Sequence, residues 1–384
     1  MSTEQAKPRS RWRRLIQLGS ALLAALGALF ACAYPEIGRA PSGKHADRIS
    51  KSPNYDKASQ RFVNRRQTYY DESMKKMTMS AFFKASMFGK QVRSPEQKLP
   101  QAKVDLDAFL KSDGMAYVWL GHSTILVRLD GKTILLDPVF HNAAPVPFVV
   151  RRFQDPVLRL EDLPPIDLIL ISHDHYDHLS RRSIQHFRNT KTQFAVPLGV
   201  SSYLVGWGIE RARIVELDWW QEHNFDGIKV ACTPSQHFSG RAGMNANPTL
   251  WASWAVLGKT ERFYFSGDSG YDEHFTAIGD RYGPFDVAFM ECGQYNPLWS
   301  VVHLFPNETV RAGKDLGAKR VQPIHWGMFE LSHHDWFEPP EFARRFGDEI
   351  GVKVYTPVIG QLVRLKGSEP TERWWKDAIK PAQP

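Results

Sequence analysis

Short apolar runs that are separated by turn residues recur along the chain from residue 116 onwards. Their length and their content of valine, isoleucine and phenylalanine favour β-strands. Asp130-Gly131, between two of these runs, is a strong hairpin signal. Helical patterns at 307–316 and 341–346 fall between later runs, so the chain is predicted to form an α/β domain in which helices cover two packed sheets. The predicted strands lie near residues 116–120, 124–129, 133–137, 168–171, 193–196, 213–217, 228–233, 249–257, 262–266, 286–290, 320–324 and 353–355.

The buried run at 168–171 is followed at once by four side chains that can bind metal ions, namely His173, His175, Asp177 and His178. A short loop between a strand and a helix can direct alternate side chains to two sides, so one loop can serve two ions. Imidazole and carboxylate ligands suit zinc, and the lack of nearby cysteine argues against a closed structural zinc site. The pattern therefore predicts a catalytic metal site rather than a solvated polar loop.

The N-terminal residues have a different pattern. Residues 15–34 are uncharged and follow four arginines, as is typical of an export signal. Residues 29–32 are similar to a lipoprotein-processing box that ends at Cys32, residues 31–33 would serve as an ordinary cleavage site, and the uncleaved stretch is long enough to span a membrane. Each alternative places the rest of the chain on the periplasmic side of a bacterial cell envelope, and two of them attach it to the membrane.

Positive charge is concentrated in the first hundred residues, which carry 19 lysines and arginines against 7 acidic residues in a chain of net charge +8. A basic extension favours an anionic membrane surface, although a solvated face without a partner explains the charge equally well. The remainder is net negative, which makes nucleic acid an unfavourable partner. We predict an export signal or anchor at residues 1–34, a basic linker with short helices at 35–100 and a catalytic domain at 101–384.

Three more potential ligands follow later strands, namely His237, Asp268 and His325. Each of them alone is weak evidence, because a polar residue after a strand is more often a cap. The pattern His-x-His-x-Asp-His at residues 173–178, together with the order of the later residues, resembles the metallo-β-lactamase superfamily. The resemblance implies the αββα sandwich of that superfamily.

The same resemblance implies a distribution of the ligands over two zinc ions that share one carboxylate. The first set is His173, His175 and His237, the second set is Asp177, His178 and His325, and the shared carboxylate is Asp268. Two such ions activate water and neutralise charge on the attacked centre, so hydrolysis needs no protein nucleophile. His122 and Asp137 lie in motifs that resemble the superfamily's early strands and are predicted to orient the ligands by hydrogen bonding.

Longer blocks resemble one group within the superfamily. Residues 216–220, 251–254 and 265–271, in a match that runs from about 116 to 338, look like the phospholipases D that hydrolyse N-acyl-phosphatidylethanolamine. This resemblance implies a zinc phosphodiesterase that acts on a phospholipid at a membrane surface and releases N-acylethanolamine and phosphatidic acid. It also implies a homodimer.

The resemblance further implies roles for individual residues. His303 falls where those phospholipases have a histidine near the metals, and it is predicted to be a general acid or a phosphate contact. Asp177 and Asp268 are the predicted catalytic carboxylates, and Tyr176 is a predicted substrate contact. Arg241 is a further predicted substrate contact because it lies a few residues after His237, although a solvated arginine explains it equally well.

Two other functions fit the same sequence. A lactonase or ester hydrolase would use the same metals on a carbonyl carbon, and a non-catalytic envelope protein would keep the fold as a scaffold. Metal content distinguishes the scaffold from the enzymes, and substrate class distinguishes the enzymes from each other.

Overall fold

Two β-sheets that pack face to face, with helices on their outer surfaces, form the body of the protein. This computed structural model describes residues 9–146, 148–242, 246–367 and 369–379. The helices among these residues are α1 (Arg9–Ile37), α2 (Gly43–Ile49), α3 (Gln67–Met74), α4 (Met79–Phe88), α5 (Leu106–Leu110), α6 (Arg181–His186), α7 (Ser201–Gly206), α8 (His274–Tyr282), α9 (Pro306–Asp315) and α10 (Glu338–Ile350). The strands are β1 (Tyr55–Asp56), β2 (Arg61–Phe62), β3 (Ala116–Trp119), β4 (Ile125–Leu129), β5 (Lys132–Leu136), β6 (Leu168–Leu170), β7 (Gln193–Pro197), β8 (Ile214–Leu217), β9 (Glu222–Phe225), β10 (Ile228–Thr233), β11 (Ser253–Leu257), β12 (Arg262–Phe265), β13 (Val287–Glu291), β14 (Val321–Ile324) and β15 (Leu362–Arg364).

The two large sheets confirm the predicted αββα sandwich. One has seven strands in the order β15-β3-β4-β5-β6-β7-β8, and the other has six in the order β14-β13-β12-β11-β10-β9. Their inner faces share a hydrophobic core that includes Trp119, Trp254 and Phe289. Helices α6 and α7 cover the outer face of the first sheet, and α8 and α9 cover that of the second. Each helix buries its apolar side, which is the usual reason for this layered architecture.

The ends of four strands bring the predicted ligands to one edge of the sandwich. β5 to β8 run parallel, as do β12 to β14, so their carboxyl ends lie at common edges. The loop after β6 carries residues 173–178, and the loops after β10, β12 and β14 carry His237, Asp268 and His325. All three residues of β6 are buried, so the first loop begins from a fully packed strand.

The observed strands differ from the predicted ones in several places, because β1, β2, β9 and β15 were not predicted and β11 begins only at Ser253. The run near 353–355 forms only a bridge between Val354 and Val321, because the N–H of Thr356 bonds to Pro370 (2.6 Å) and Pro357 has no N–H to continue a ladder. β9 was missed because its sequence, Glu-His-Asn-Phe, lacks an apolar alternation. It forms nevertheless, since the turn at 226–227 pairs it with β10.

Helix α1 projects from the sandwich. It contains residues 15–37, whose mean hydropathy is 2.0 and whose most apolar window is not buried in the protein at all. Its last turn contacts the domain, where Trp207 Nε1 donates to Pro35 O (3.1 Å) and Arg181 pairs with Glu36 (2.9 Å). Among the described residues it is the one helix long and apolar enough to cross a membrane.

Helix α2 is attached to the end of β8 through one buried carboxylate. Glu216 is paired with Arg48 and with His45 (3.0 Å), and it accepts the N–H groups of Gly199 (2.9 Å) and Ser201 (3.2 Å). Burial raises its pKa, but the hydrogen bonds from His45, Ser201 and Arg48 outweigh burial and lower the pKa to about 2. The basic segment that precedes the sandwich is therefore held to it by an ionised group.

We expect Glu216→Gln to lower the free energy of unfolding by about 2–3 kcal/mol at pH 7. Because the folded pKa lies below the usual 4.5, this contribution is fully present above about pH 4.5 and is lost as the pH falls towards 2. Denaturant titrations of parent and variant between pH 7 and pH 3 measure the difference, with Glu349→Gln on the exposed end of α10 as the control. Equal losses in the two variants at pH 7 would contradict the assignment.

Candidate metal centre

The loop at residues 172–180, called here the metal loop, is tightened by its own hydrogen bonds. The N–H groups of His178 (3.1 Å) and Leu179 (2.8 Å) both donate to the carbonyl of His175. Ser180 then caps α6 by accepting the N–H of Ser183 (3.4 Å), as serine commonly does at a helix start. This short return between a strand and a helix points four ligand side chains towards the gap between the sheets.

The first group of ligands, called here the His173 cluster, consists of His173, His175, His237 and Asp268. One ligand atom from each lies within 4.8 Å of all the others. His175 Nδ1 is 2.8 Å from His173 Nε2 and 3.2 Å from His237 Nε2, while Asp268 Oδ2 is 3.6 Å from His237 Nε2. Three imidazole nitrogens and a carboxylate oxygen that converge in this way match the ligand set that zinc prefers.

The second group, called here the His325 cluster, consists of His122, Asp177, His178 and His325, again with ligand atoms within 4.8 Å. Asp177 Oδ2 is at its centre, 3.0 Å from His122, 3.2 Å from His325 and 3.4 Å from His178. His122 thus lies among the predicted ligands and contacts one of them directly. Its imidazole belongs to the same donor set, a position that the motif alone did not specify.

Asp268 lies between the two clusters. Its Oδ1 is 3.2 Å from His178 Nε2 and its Oδ2 is 3.2 Å from His325 Nε2. Asp268 Oδ1 and His178 Nε2 are buried and, although they lie 3.2 Å apart, neither makes a well-aligned hydrogen bond with the other or with another described residue. Buried polar atoms seldom remain unpaired, so the two atoms fit a bound cation. All seven predicted ligands therefore converge, and their donor chemistry fits two neighbouring metal ions.

The Nδ1 atoms of three ligand imidazoles, those of His173, His178 and His237, are held by the protein. Asp137 Oδ2 contacts His178 Nδ1 (2.7 Å), the hydroxyl of Ser172 contacts His173 Nδ1 (2.9 Å), and the carbonyl of Val302 contacts His237 Nδ1 (3.0 Å). Such contacts select the tautomer and direct Nε2 towards the metal. Asp137 is placed where the sequence predicted it, and Ser172 and Val302 are additions that only the fold reveals.

Burial favours the neutral form of three imidazoles at the site, those of His173, His237 and His122. It lowers the pKa of His173 and of His237 well below the usual value, and it lowers the pKa of His122 to about 3. Neutral imidazole is the form that binds a metal ion. The backbones of His122, Asp137 and His325 have positive φ angles of 52°, 36° and 68°, a conformation that is uncommon for such residues and is concentrated at functional sites.

His303 lies beside both clusters. Its ring is stacked on His325 (5.3 Å between centroids) and packs edge to face on His237 (5.1 Å). Its Nδ1 is 2.9 Å from Oε1 of Glu291, a fully buried carboxylate that also accepts the N–H groups of Ser269 (2.9 Å) and Leu304 (2.8 Å). Sequence reasoning missed Glu291. The available signal was an acidic residue that ends an otherwise apolar strand.

A cavity of about 560 Å³, called here the metal cavity, lies over the two clusters. Ligands and His303 form its floor. Tyr176 and Arg241 also line it, together with an apolar wall. The apolar lining residues are Met74, Met77, Ala143, Phe238, Ala242, Trp299, Val302 and Leu331.

Arg241 has its guanidinium directed at the protein. Nη1 donates to Asp174 O (2.7 Å) and Leu179 O (2.8 Å), and Nε and Nη2 donate to Glu36 O at 3.1 and 2.6 Å. The guanidinium carbon also lies 4.0 Å from the ring of Tyr176. The geometry favours a positioning role, in which Arg241 joins the metal loop to the end of α1, and its substrate contact stays a prediction. The hydroxyl of Tyr176 likewise donates to Arg241 O (2.7 Å).

Comparison with known proteins decides the family. The model of the β-lactamase superfamily domain matches residues 132–326, which contain every predicted metal ligand. The chain belongs to this superfamily. This superfamily member is a metal-dependent hydrolase of the metallo-β-lactamase fold.

Relatives of this superfamily member include characterised enzymes. The N-acyl-phosphatidylethanolamine-hydrolyzing phospholipase D 1 of Caenorhabditis elegans is 35% identical over 259 residues, which cover 64% of this chain and 73% of that protein. An uncharacterized protein of Mycobacterium tuberculosis is 42% identical over 268 residues, or 68% of this chain and 72% of the relative. The solved structure of Igni18, a metallo hydrolase of Ignicoccus hospitalis, has a TM-score of 0.51 at 23% identity and covers 65% of this chain and 97% of its own, which supports the fold.

Proposed function

We propose that this protein is a phosphodiesterase of the phospholipase D type that contains two zinc ions and releases N-acylethanolamine and phosphatidic acid from N-acyl-phosphatidylethanolamine. The observation that carries the proposal is a pair of ligand clusters sharing Asp268 on the floor of a cavity with an apolar wall. The clusters suit attack on a charged phosphate, and the wall suits acyl chains. The similarity to a nematode phospholipase with this activity supports the same substrate class.

In the proposed centre each ion has its own set of ligands. His173, His175 and His237 would hold one, Asp177, His178 and His325 would hold the other, and Asp268 would contact both. Bound ions would supply Lewis acidity and lower the pKa of water at the phosphoryl group. The protein contributes the fixed imidazole orientations, the buried carboxylates and the exclusion of bulk water by the apolar wall.

His303 is positioned to supply the proton that the departing alkoxide needs. It lines the metal cavity, and Glu291 holds its Nδ1, so Nε2 is the nitrogen that faces the chemistry. Burial lowers the pKa of His303 and raises the pKa of Glu291 well above its usual value, so the hydrogen-bonded pair can hold one proton between its two members and deliver it through His303. Glu291 is therefore a positioning residue for His303.

We expect His303→Ala to lower kcat on a phospholipid by about 10²- to 10⁴-fold without loss of bound metal. The loss should be much smaller on a phosphodiester with a nitrophenolate leaving group, because that group departs without a proton. Steady-state kinetics on both substrates and metal analysis measure this, and His186→Ala, on the exposed side of α6, is the matched control. Equal losses on the two substrates would exclude the general-acid role.

We also propose that α1 attaches the protein to the bacterial cell envelope with the sandwich on the periplasmic side. The most apolar window of residues 15–37 is unburied, and four arginines precede it in the sequence, which is the arrangement of a helix whose basic end stays inside. An attached enzyme would reach its phospholipid at the membrane surface. The homodimer that the resemblance implies stays a prediction.

The test of the substrate uses the full chain, zinc-loaded in neutral detergent and mixed with N-acyl-phosphatidylethanolamine. Mass spectrometry of the products should show N-acylethanolamine and phosphatidic acid in equal amounts. Parallel incubations with a lactone and with a simple ester test the alternative lactonase and ester hydrolase activities. Absence of both lipid products while two zinc ions remain bound would contradict the phospholipase assignment.

A further inference from the structure

A second cavity, of about 680 Å³, lies at the last turns of α1 and shares no lining residue with the metal cavity. Cys32 and Glu36 of α1 form one side of it, and residues 140–142, 144–145 and 151–156 form another. Lys98, Ser180 and Arg182 complete the lining. It is called here the basic cavity, and the proposed hydrolysis does not use it.

The basic cavity contains cations that the fold leaves without partners. Lys98, Arg151 and Arg182 are exposed, and within the described ranges none of their side chains makes a hydrogen bond or an ion pair. Of the two acids in the lining, Glu36 is already paired with Arg181 (2.9 Å), and the other is Asp155. The lining therefore has a surplus of positive charge that is not required for folding.

A fourth cation, Arg152, is fixed in the wall. Its Nη1 donates to Val139 O (2.8 Å), and its guanidinium carbon lies 5.4 Å from the ring centre of Phe329. The field of these cations acts on His141, whose pKa is lowered to about 4 by burial and then by the charges of Arg182 and Arg152. His141 is thus neutral and can offer a hydrogen bond beside the positive groups.

The basic cavity lies where the surface of a membrane that contains α1 would be. Cys32 and Glu36 belong to the final turns of the apolar helix whose preceding window is not buried in the protein. On the adjoining loop, Phe148 and Val149 are 55% and 60% exposed, immediately before Arg151. Exposed apolar side chains next to arginines at the end of a membrane helix lie at the depth where lipid headgroups are found. A lipid on Cys32 would place the same cavity at the same surface.

We propose that the basic cavity binds the phosphate headgroup of an anionic phospholipid in the leaflet where α1 ends. Guanidinium groups match phosphate oxygens in paired hydrogen bonds, and Arg151 and Arg182 are the unpaired donors available for them. The acyl chains would remain in the bilayer beside α1 and the loop at 148–149. The inference rests on the proposed attachment to a membrane, and it does not require hydrolysis.

The test measures binding of phosphatidic acid to the full chain in neutral detergent by native mass spectrometry and by equilibrium titration. Arg151→Gln combined with Arg182→Gln is expected to weaken binding by about 10- to 30-fold. Lys191→Gln combined with Arg345→Gln removes the same charge at exposed positions outside the cavity and should leave affinity within about twofold. Thermal unfolding of both double variants verifies that they fold.

Two further experiments distinguish headgroup binding from the proposed hydrolysis and from binding of a soluble anion. Asp268→Asn protein, in which the metal centre is impaired, should bind phosphatidic acid at this site with parental affinity, so failed hydrolysis and failed headgroup binding are distinguishable. Phosphatidylcholine should not compete. Equal binding by the parent and the Arg151/Arg182 double variant would overturn the proposal, and so would displacement of the lipid by an equal concentration of inorganic phosphate.

Discussion

Asp268→Asn is expected to leave the protein unable to hold two metal ions and to lower hydrolysis by at least about 10³-fold. The carboxylate oxygens of Asp268 face His178 and His325 at 3.2 Å and lie 3.6 Å from His237. An amide of the same size keeps the packing but loses the negative charge that two adjacent cations require. Metal analysis after dialysis against dilute chelator, together with initial rates, measures the effect.

The matched control for this substitution is Asp280→Asn. Asp280 is exposed on α8, so its amide should leave both metal content and rate at the parental level. Retention of two ions and of parental rate by the Asp268 variant would show that Asp268 does not join the two clusters. A variant that keeps one ion and a small residual rate would still agree with a shared carboxylate, because the two clusters have three and four potential ligands besides Asp268.

Arg241→Ala is expected to lower the free energy of unfolding by about 3 kcal/mol and the affinity for metal by about 10- to 100-fold. The guanidinium is buried and satisfies carbonyls of Asp174 and Leu179 in the metal loop, as well as that of Glu36 in α1. Removing it leaves those carbonyls unpaired in a buried place, so the loop loses the support that sets its ligands. Denaturant unfolding and zinc competition with a chromophoric chelator measure the two quantities.

The control for charge alone is Lys191→Ala, at an exposed position after α6. Arg241→Lys provides a second comparison, because lysine keeps the charge but cannot reproduce a planar set of hydrogen bonds to four carbonyls, those of Asp174, Leu179, Glu36 and Ile37. It should behave much more like the alanine variant than like the parent. Parental metal affinity in a clearly destabilised Arg241→Ala protein would show that Arg241 supports the fold without acting on the metal loop.

Much of the fold was open to prediction because its signals are local. Buried strands such as β6 are continuous apolar runs, and hairpin turns such as 130–131 have a residue preference of their own. The strand predictions were wrong where strand formation depends on pairing with other segments of the chain. β9 has a polar sequence and forms against β10, and the run at 353–355 is cut short by Pro357 and by a bond to Pro370.

Within the site, the sequence by itself determined which side chains could serve as ligands. Residues 173–178 follow a buried strand directly, and His237, Asp268 and His325 each follow a strand as well. Each later residue alone was weak evidence, and the resemblance of their order to the metallo-β-lactamase superfamily is what predicted that they would meet.

Only the tertiary structure decided which groups support those ligands. Glu291 reaches His303 from β13 (2.9 Å), and Arg241 reaches Glu36 across the chain (2.6 Å). The unpaired cations of the basic cavity are likewise assembled from three separate segments. Each of these contacts depends on the relative placement of distant elements, which is set by core packing summed over the whole sandwich. A local sequence pattern carries no information about the relative positions of distant elements, since each side chain alone is compatible with an ordinary surface or capping role.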